Sequence, residues 1–342
     1  MPKICQIRGA ILEELVLELL GRAGYRILDE DDGVELRNGS NGLEVQGRGE
    51  WHQVDALVSY DFTPAFIYPL RLIVEAKAYL PRSRGGKVGI DVVRNAVGVL
   101  KDINENYFLH NLRPGQEYKF RIFNYVYAIF SLYGFTRNAQ RYAMAHQIFL
   151  IQYHHAQLFE NIKHLLALLD DDQTSQEYFY HVSDIDLCGF RKRLRNFLKS
   201  GNKDVLSNYL TEKGISLMCK LKNELDHIGG SYFGLLNGEY PIHILSEKPI
   251  KGIGNEDVVS ARVYVTKEGQ IKVAFKDNKL FFELPEDVAR IFSEVWDKKR
   301  KIAKLKKKYI SFITLSGKIG GIRRSIRIEL DRDWLREYIS HV

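Results

Sequence analysis

The chain has 342 residues, 45% of them hydrophobic and 27% charged, which is the composition of an ordinary globular protein long enough for two separate cores. No apolar run approaches the ~18 residues that span a bilayer, the N-terminus has no charged start followed by an apolar stretch, and Cys5, Cys188 and Cys219 are too scattered for a disulfide framework or a zinc site; a reducing cytoplasm and no membrane are therefore expected. The net charge of +7 divides as +1 for residues 1–164 and +6 for 165–342, so a polyanionic partner is expected for the basic half.

In chain order, Ile11, Leu12, Leu15, Val16, Leu19, Leu20 and Ala23 recur on one side of a 3.6-residue period and predict a helix packed on a sheet. On that wheel Glu13 flanks the apolar stripe, whereas Glu14 and Glu18 are expected to face water. Gly47-Arg48-Gly49 reads as a turn, with a phosphate-contacting loop as the alternative. A strand-like run from Val54 to Tyr60 ends at the turn-prone segment 61–69, where Pro64 and Pro69 cannot sit in a central ladder, and a second run, Leu70 to Ala78, follows. A hairpin symmetric about Ala65 sets Tyr60 opposite Leu70 and Asp55 opposite Glu75.

That register has a chemical consequence. Side chains alternate along a strand, so Glu75 and Lys77 share a face, and the carboxylate of Asp55 meets them across the ladder. Two opposed carboxylates beside an apolar strand repel unless something positive lies between them, and a hard divalent cation with oxygen ligands answers the need. Magnesium is the expected cofactor, with manganese as a substitute.

Further along, Arg82, Arg84 and Lys87 lie in a Pro/Gly-rich loop that leaves the second strand, a position suited to holding phosphates. A helix is predicted from about 91 to 102, a strand from Tyr125 to Leu132, a helix capped by Thr136 and running through His146, and a strand from Ile148 to Tyr153. Strand-helix-strand with so short a connection implies a parallel pair. His52, His146, His154 and His155 form no metal-ligand pattern.

The wording GRGEWHQVDAL with LIVEAKAY, the upstream AILEELVLELLGRAGYRI and the downstream VYAIFSLYGFTRNAQRYAMAHQIFLIQY together resemble the Mrr-like restriction endonucleases of the PD-(D/E)xK superfamily, over residues from about 8 to about 155. One departure is Val54, where the superfamily's name implies proline. The resemblance implies a restriction-endonuclease-like mixed sheet flanked by helices, with Asp55, Glu75 and the carbonyl of Ala76 holding the metal, Glu13 supporting it and Lys77 activating water. It also implies DNA as substrate and a role in defence against foreign DNA, by association with the family. A homodimer and a separate NTPase or other defence subunit are the partners such an enzyme would take. Gln53, two residues before Asp55, is a further candidate for contact with water or DNA.

An amphipathic helix from 156 to 169 ends at Asp170, Asp171 and Asp172, which read as a solvated boundary or as a cation site. Residues 184–228 look helical and contain the basic stretch GFRKRLRNFLK; short strands follow at 242–246, 258–265, 270–275 and 280–284. Pro285 opens a last long helix whose tail, Lys298 to Lys308, holds eight basic residues in eleven. Lys304, Lys306, Lys307 and Lys308 are its candidates for DNA phosphates, with an acidic partner or a solvated helix end as alternatives. A strand RSIRIEL and a helix DRDWLREYI close the chain.

The sequence thus predicts a nuclease domain over 1–165 and a basic α+β domain over 166–342 that selects the target or docks a partner. The expected function is a magnesium-dependent endodeoxyribonuclease. The alternatives are a DNA-binding or scaffolding subunit of nuclease fold that no longer cuts, and a nuclease acting on RNA or branched DNA.

Overall fold

A computed structural model describes residues 3–39, 42–63, 66–81, 84–106, 108–113, 116–120, 123–170 and 176–340. The architecture is mixed α/β. Its first sheet has the order β1 (Arg26–Leu28), β5 (Ala56–Tyr60), β6 (Leu70–Lys77), β9 (Asn124–Ser131), β10 (Phe149–Gln152). β5 and β6 are antiparallel with Tyr60 opposite Leu70 and Ala56 opposite Val74, the register expected from symmetry about Ala65. β6 with β9 and β9 with β10 are parallel.

Alternation along β6 sorts its side chains between two cores. Leu72, Val74 and Ala76 pack with α1 (Ile4–Ala23), while Ile73 packs on the opposite face with α2 (Ile90–Asn104) and α3 (Arg137–Ala145). Thr136 caps α3, its hydroxyl accepting from the Ala139 N–H at 3.3 Å. A small antiparallel sheet, β2 (Leu36–Gly39), β3 (Gly42–Gln46) and β4 (Trp51–Gln53), adds Leu36 and Val45 to the second face and was not expected from the sequence. A separate hairpin pairs β7 (Phe108–Arg113) with β8 (Gln116–Phe120).

The Gly47 to Gly49 segment is a structural turn. Asp102 of α2 accepts from the Gly49 N–H and from His52, and a side chain at Gly47 would collide with Asp102 and with the Glu50 carbonyl.

The core under α1 does not stop at residue 165. It continues through α4 (Glu160–Ala167), α5 (Leu187–Ser200) and α6 (Glu212–His227), with Phe190, Leu194, Phe197, Leu217 and Leu221 buried in the same core as α1. The stretch 184–228 is therefore two helices, separated where Gly201 adopts the left-handed conformation at φ 73° that ends α5.

Beyond it the β-rich region is a closed barrel. Its strands run in the order β11 (Gly230–Leu236), β12 (Tyr240–Ser246), β15 (Asn278–Glu283), β14 (Gln270–Phe275), β13 (Val258–Val265), β17 (Ile322–Leu330), β16 (Phe312–Ile319), and β16 pairs back onto β11. Closure removes sheet edges, and alternate residues such as Val259, Ala261 and Val263 fill the interior. The expected long helix after Pro285 is two, α7 (Glu286–Ser293) and α8 (Lys299–Tyr309), which pack on the barrel with α9 (Arg332–Ser340).

Barrel and first sheet meet at a buried polar junction. The His243 ring lies 2.8 Å from both the Tyr153 and the Ser231 hydroxyls and stacks on Phe233, and burial pushes it down to about 3. Among the described residues no helix is long and apolar enough to cross a membrane.

Candidate active site

At the C-terminal end of β6, where the ladder with β5 stops, the chain brings Asp55, Glu75 and Lys77 together. The Asp55 carboxylate accepts from the Ala76 N–H at 3.1 Å, which fixes its Oδ2 at the strand end. The Lys77 ammonium lies between the two acids, 2.8 Å from Glu75 Oε1 and 3.9 Å from Asp55 Oδ2. Burial acts to lower this lysine, but the carboxylates of Asp55 and Glu75 outweigh it and hold the ammonium above the usual lysine range. Glu75 is 9% exposed, and the Tyr127 hydroxyl of β9 donates to its second oxygen at 2.8 Å.

Glu13 reaches the same site from α1, on the flank of the apolar stripe as its wheel position implies. Burial, then the neighbouring Asp55 carboxylate, pushes Glu13 up to about 8, against the opposing pull of Arg191 at 3.0 Å. Glu14 contradicts its expected position in water. It is 1% exposed and lies under two guanidinium groups: Arg195 at 2.7 and 3.0 Å and Arg191 at 3.0 Å. Arg191 also donates to the backbone carbonyl of Asp55 at 2.8 Å, and Arg195 to Asp29 at 2.7 Å. The helical wheel of α1 alone favoured solvent for Glu14 because it lacked the partner helix, α5, which begins 173 residues later.

A cleft of about 460 Å³ opens over these groups. α1 lines it with Gly9 and Glu13, α5 with Cys188, Arg191, Lys192 and Arg195, and the small sheet with Asn38, Leu43 and Gln53; Asp55, Ala76 and Lys77 form its floor. Gln53 is on the cleft, but on β4 of the small sheet, since the chain bends between Gln53 and Ala56.

Asp55 and Glu75 are the two carboxylates that flank Lys77 here, and among the described residues no group of three or more His, Cys, Asp or Glu side chains is arranged to hold a metal ion. A cation held at this strand end would therefore have to be one that takes only one or two carboxylates and keeps several waters, as magnesium does.

The other candidate residues are dispersed. Arg82 lies outside the described residues, as do Asp171 and Asp172, and Arg84 opens a short 3-10 turn, Arg84–Gly86. Lys87 pairs with Glu286 of α7 at 2.6 Å, which also ties its loop to the helix on the barrel. On α8, Lys304, Lys307 and Lys308 are exposed, but Lys306 is not available to DNA: it is 2% exposed, its ammonium sits 4.9 Å from the Trp334 ring and 4.5 Å from the Tyr338 ring, and burial lowers it to about 8. The helical spacing of Ala303 and Ile302 explains this, because one lysine of so dense a run must turn with them toward the barrel. Sequence reading missed Tyr127, Arg191 and Arg195; the i, i+4 arginines in GFRKRLRNFLK were the available sign, read only as bulk charge.

No protein-family model matches the chain, and no curated protein matches it. Among solved structures, one described as a protein of unknown function, AF1548, aligns over 63% of this chain and 93% of its own at 15% identity, with a TM-score of 0.30. That likeness is too slight to carry fold or function.

Proposed function

We propose that the protein is a magnesium-dependent endodeoxyribonuclease with a restriction-endonuclease-like core of the Mrr-like kind. The observation that carries this reading is the Lys77 ammonium set between the Asp55 and Glu75 carboxylates on the floor of an open cleft. Asp55, Glu75 and the Ala76 carbonyl would hold magnesium, or manganese in its place, with Glu13 in support, and the ion when bound supplies polarisation of the phosphate and a nucleophile at neutral pH.

The remaining work falls to side chains of this chain. Lys77, held protonated by its two acids, orients the attacking water and offsets the negative charge that grows on the scissile phosphate. The Ala76 N–H fixes Asp55, and Tyr127 fixes Glu75, so neither carboxylate needs to reorganise when the substrate arrives. Arg191 ties Glu13 to the Asp55 backbone and keeps α1 in register with the strand end. The barrel and its exposed lysines Lys304, Lys307 and Lys308 serve target choice or partner docking. A cytoplasmic role in defence against foreign DNA, as a homodimer or with an NTPase subunit, is consistent with this chemistry.

A second reading, a DNA-binding subunit that does not cut, is favoured by one feature: Glu75 lies below the cleft surface with both oxygens engaged. Incubation of the purified protein with methylated and unmethylated plasmid, with magnesium or with a chelator, separates the two. Magnesium-dependent nicking that disappears in Asp55→Ala supports the enzyme; intact plasmid under all conditions overturns it.

A further inference from the structure

The cations of the cleft are unequally occupied. Lys77 is held by Asp55 and Glu75, Arg191 by Glu13, Glu14 and the Asp55 carbonyl, and Arg195 by Glu14 and Asp29. Arg8, buried at the α1 wall, donates to the carbonyls of Ala78 and Leu169. Lys192 differs from all four: it lines the same cleft, is exposed, and has no ion-pair or hydrogen-bond partner among the described residues.

Its placement is not accidental to a mobile surface chain. Cys188, Arg191, Lys192 and Arg195 are separated by three and four residues and so share one face of α5, the face turned to the cleft. The opposite face, Phe190, Leu194, Phe197 and Leu198, is buried in the core under α1. Asp186 caps the helix by accepting from the N–H groups of Cys188 and Gly189 at 3.1 and 3.0 Å. The wall is thus anchored, by its buried face to the core and by the Arg191 and Arg195 ion pairs to the site.

Electrostatics gives the unpaired cation a task. A nucleic-acid strand brought over the floor meets the Asp55 carboxylate, with Glu75 beneath it, and Lys77 is already neutralised by these two. Strand phosphates on either side of the reacting bond therefore need a cation that is not neutralised, within the cleft and off the floor. Deepening the nuclease reading, on which this rests, we infer that α5 is the substrate-binding wall of the cleft and that Lys192 contacts a DNA phosphate neighbouring the scissile one. The helix comes from outside the catalytic sheet, so a segment of the basic half of the chain completes the site.

The test uses the full-length protein as wild type, Lys192→Gln and Lys192→Arg, each first checked for an unchanged thermal melt. Steady-state cleavage is measured with magnesium, and binding of a fluorescein-labelled DNA duplex of random sequence is titrated against salt with a chelator present. Lys192→Gln should raise KM by about three- to tenfold with kcat retained, and should lower the log–log salt slope by about 0.9, the contribution of one phosphate contact. Lys192→Arg should restore both, since either cation meets a phosphate; a merely structural lysine would move neither KM nor the salt slope. Unchanged KM and slope in Lys192→Gln, with wild-type cleavage intact, would overturn the assignment of α5 and leave the nuclease reading standing. Absence of cleavage by wild type, with a slope that still falls in Lys192→Gln, would overturn the nuclease reading and leave α5 as a DNA-binding wall.

Discussion

Replacing Glu14 by Gln separates the folded arrangement from the one expected of an isolated helix. The carboxylate is 1% exposed and accepts from Arg195 at 2.7 and 3.0 Å and from Arg191 at 3.0 Å. Removing one partner of a buried ion pair costs about 3–5 kcal/mol, because the surviving charge stays desolvated. Here Arg191 keeps Glu13 and the Asp55 carbonyl, and Arg195 keeps Asp29, so the lower end, about 3 kcal/mol, is expected. With a urea dependence of about 3 kcal/mol per molar, the unfolding midpoint should fall by roughly 1 M. The assay is urea unfolding followed by circular dichroism, with the exposed Glu30→Gln as reference, for which a change within about 0.5 kcal/mol is expected. A midpoint for Glu14→Gln as close to wild type as that of Glu30→Gln would refute the buried network and with it the anchoring of α5 to the site.

Four further outcomes follow from the same geometry. Lys77→Ala and Asp55→Ala should each abolish plasmid nicking, and Lys77→Ala should also lower the melting temperature, because Asp55 and the buried Glu75 lose the cation between them; full activity in either would remove that residue from the site. Magnesium should raise the melting temperature of wild type, by a stability increment of about 2.7 kcal/mol at a hundred times its dissociation constant, and raise that of Glu75→Ala less; equal rises would place the cation elsewhere. Burial holds His243 at about 3 in the folded protein, below its ordinary value of 6.5, so its contribution to stability is complete above pH 6.5 and is lost as pH falls toward 3. Between those limits wild type should lose about 1.4 kcal/mol per pH unit more than His243→Gln in urea titrations, and parallel pH curves would refute this. Lys304, Lys307 and Lys308 replaced together by Gln should flatten the salt dependence of DNA binding, whereas Lys306→Gln should lower the melting temperature and leave the slope alone; an unchanged slope in the triple variant would leave an acidic partner for that helix.

What could be read from the chain alone was local. The prolines of 61–69 and symmetry about Ala65 carried the β5–β6 register, because a hairpin's register follows from its own turn; the ladder ends at Ala56 opposite Val74, and Asp55, just beyond it, bonds to the Ala76 N–H instead of pairing with Glu75. Thr136 as a cap and the parallel β9–β10 pair were legible for the same reason. The barrel was visible only as scattered strands: β11 was obscured by its glycines, and β16 was passed over beside the lysine run although Ile313, Leu315 and Ile319 alternate inward. Closure depends on pairing β16 with β11 and β13 with β17, across separations that no local pattern reports, whereas β16 and β17 form a local hairpin turned at Gly320 and Gly321. The clearest division is at Glu14 and Lys306. Glu14 lies on a helix whose own stripe points it toward water and is buried by α5, far along the chain, whereas Lys306 shares the inward face of Ile302 and Ala303 and α9 covers it. A hydrophobic stripe orients a helix toward its first partner, but the environment of every other face is decided by what packs there later, and that is a property of the tertiary structure.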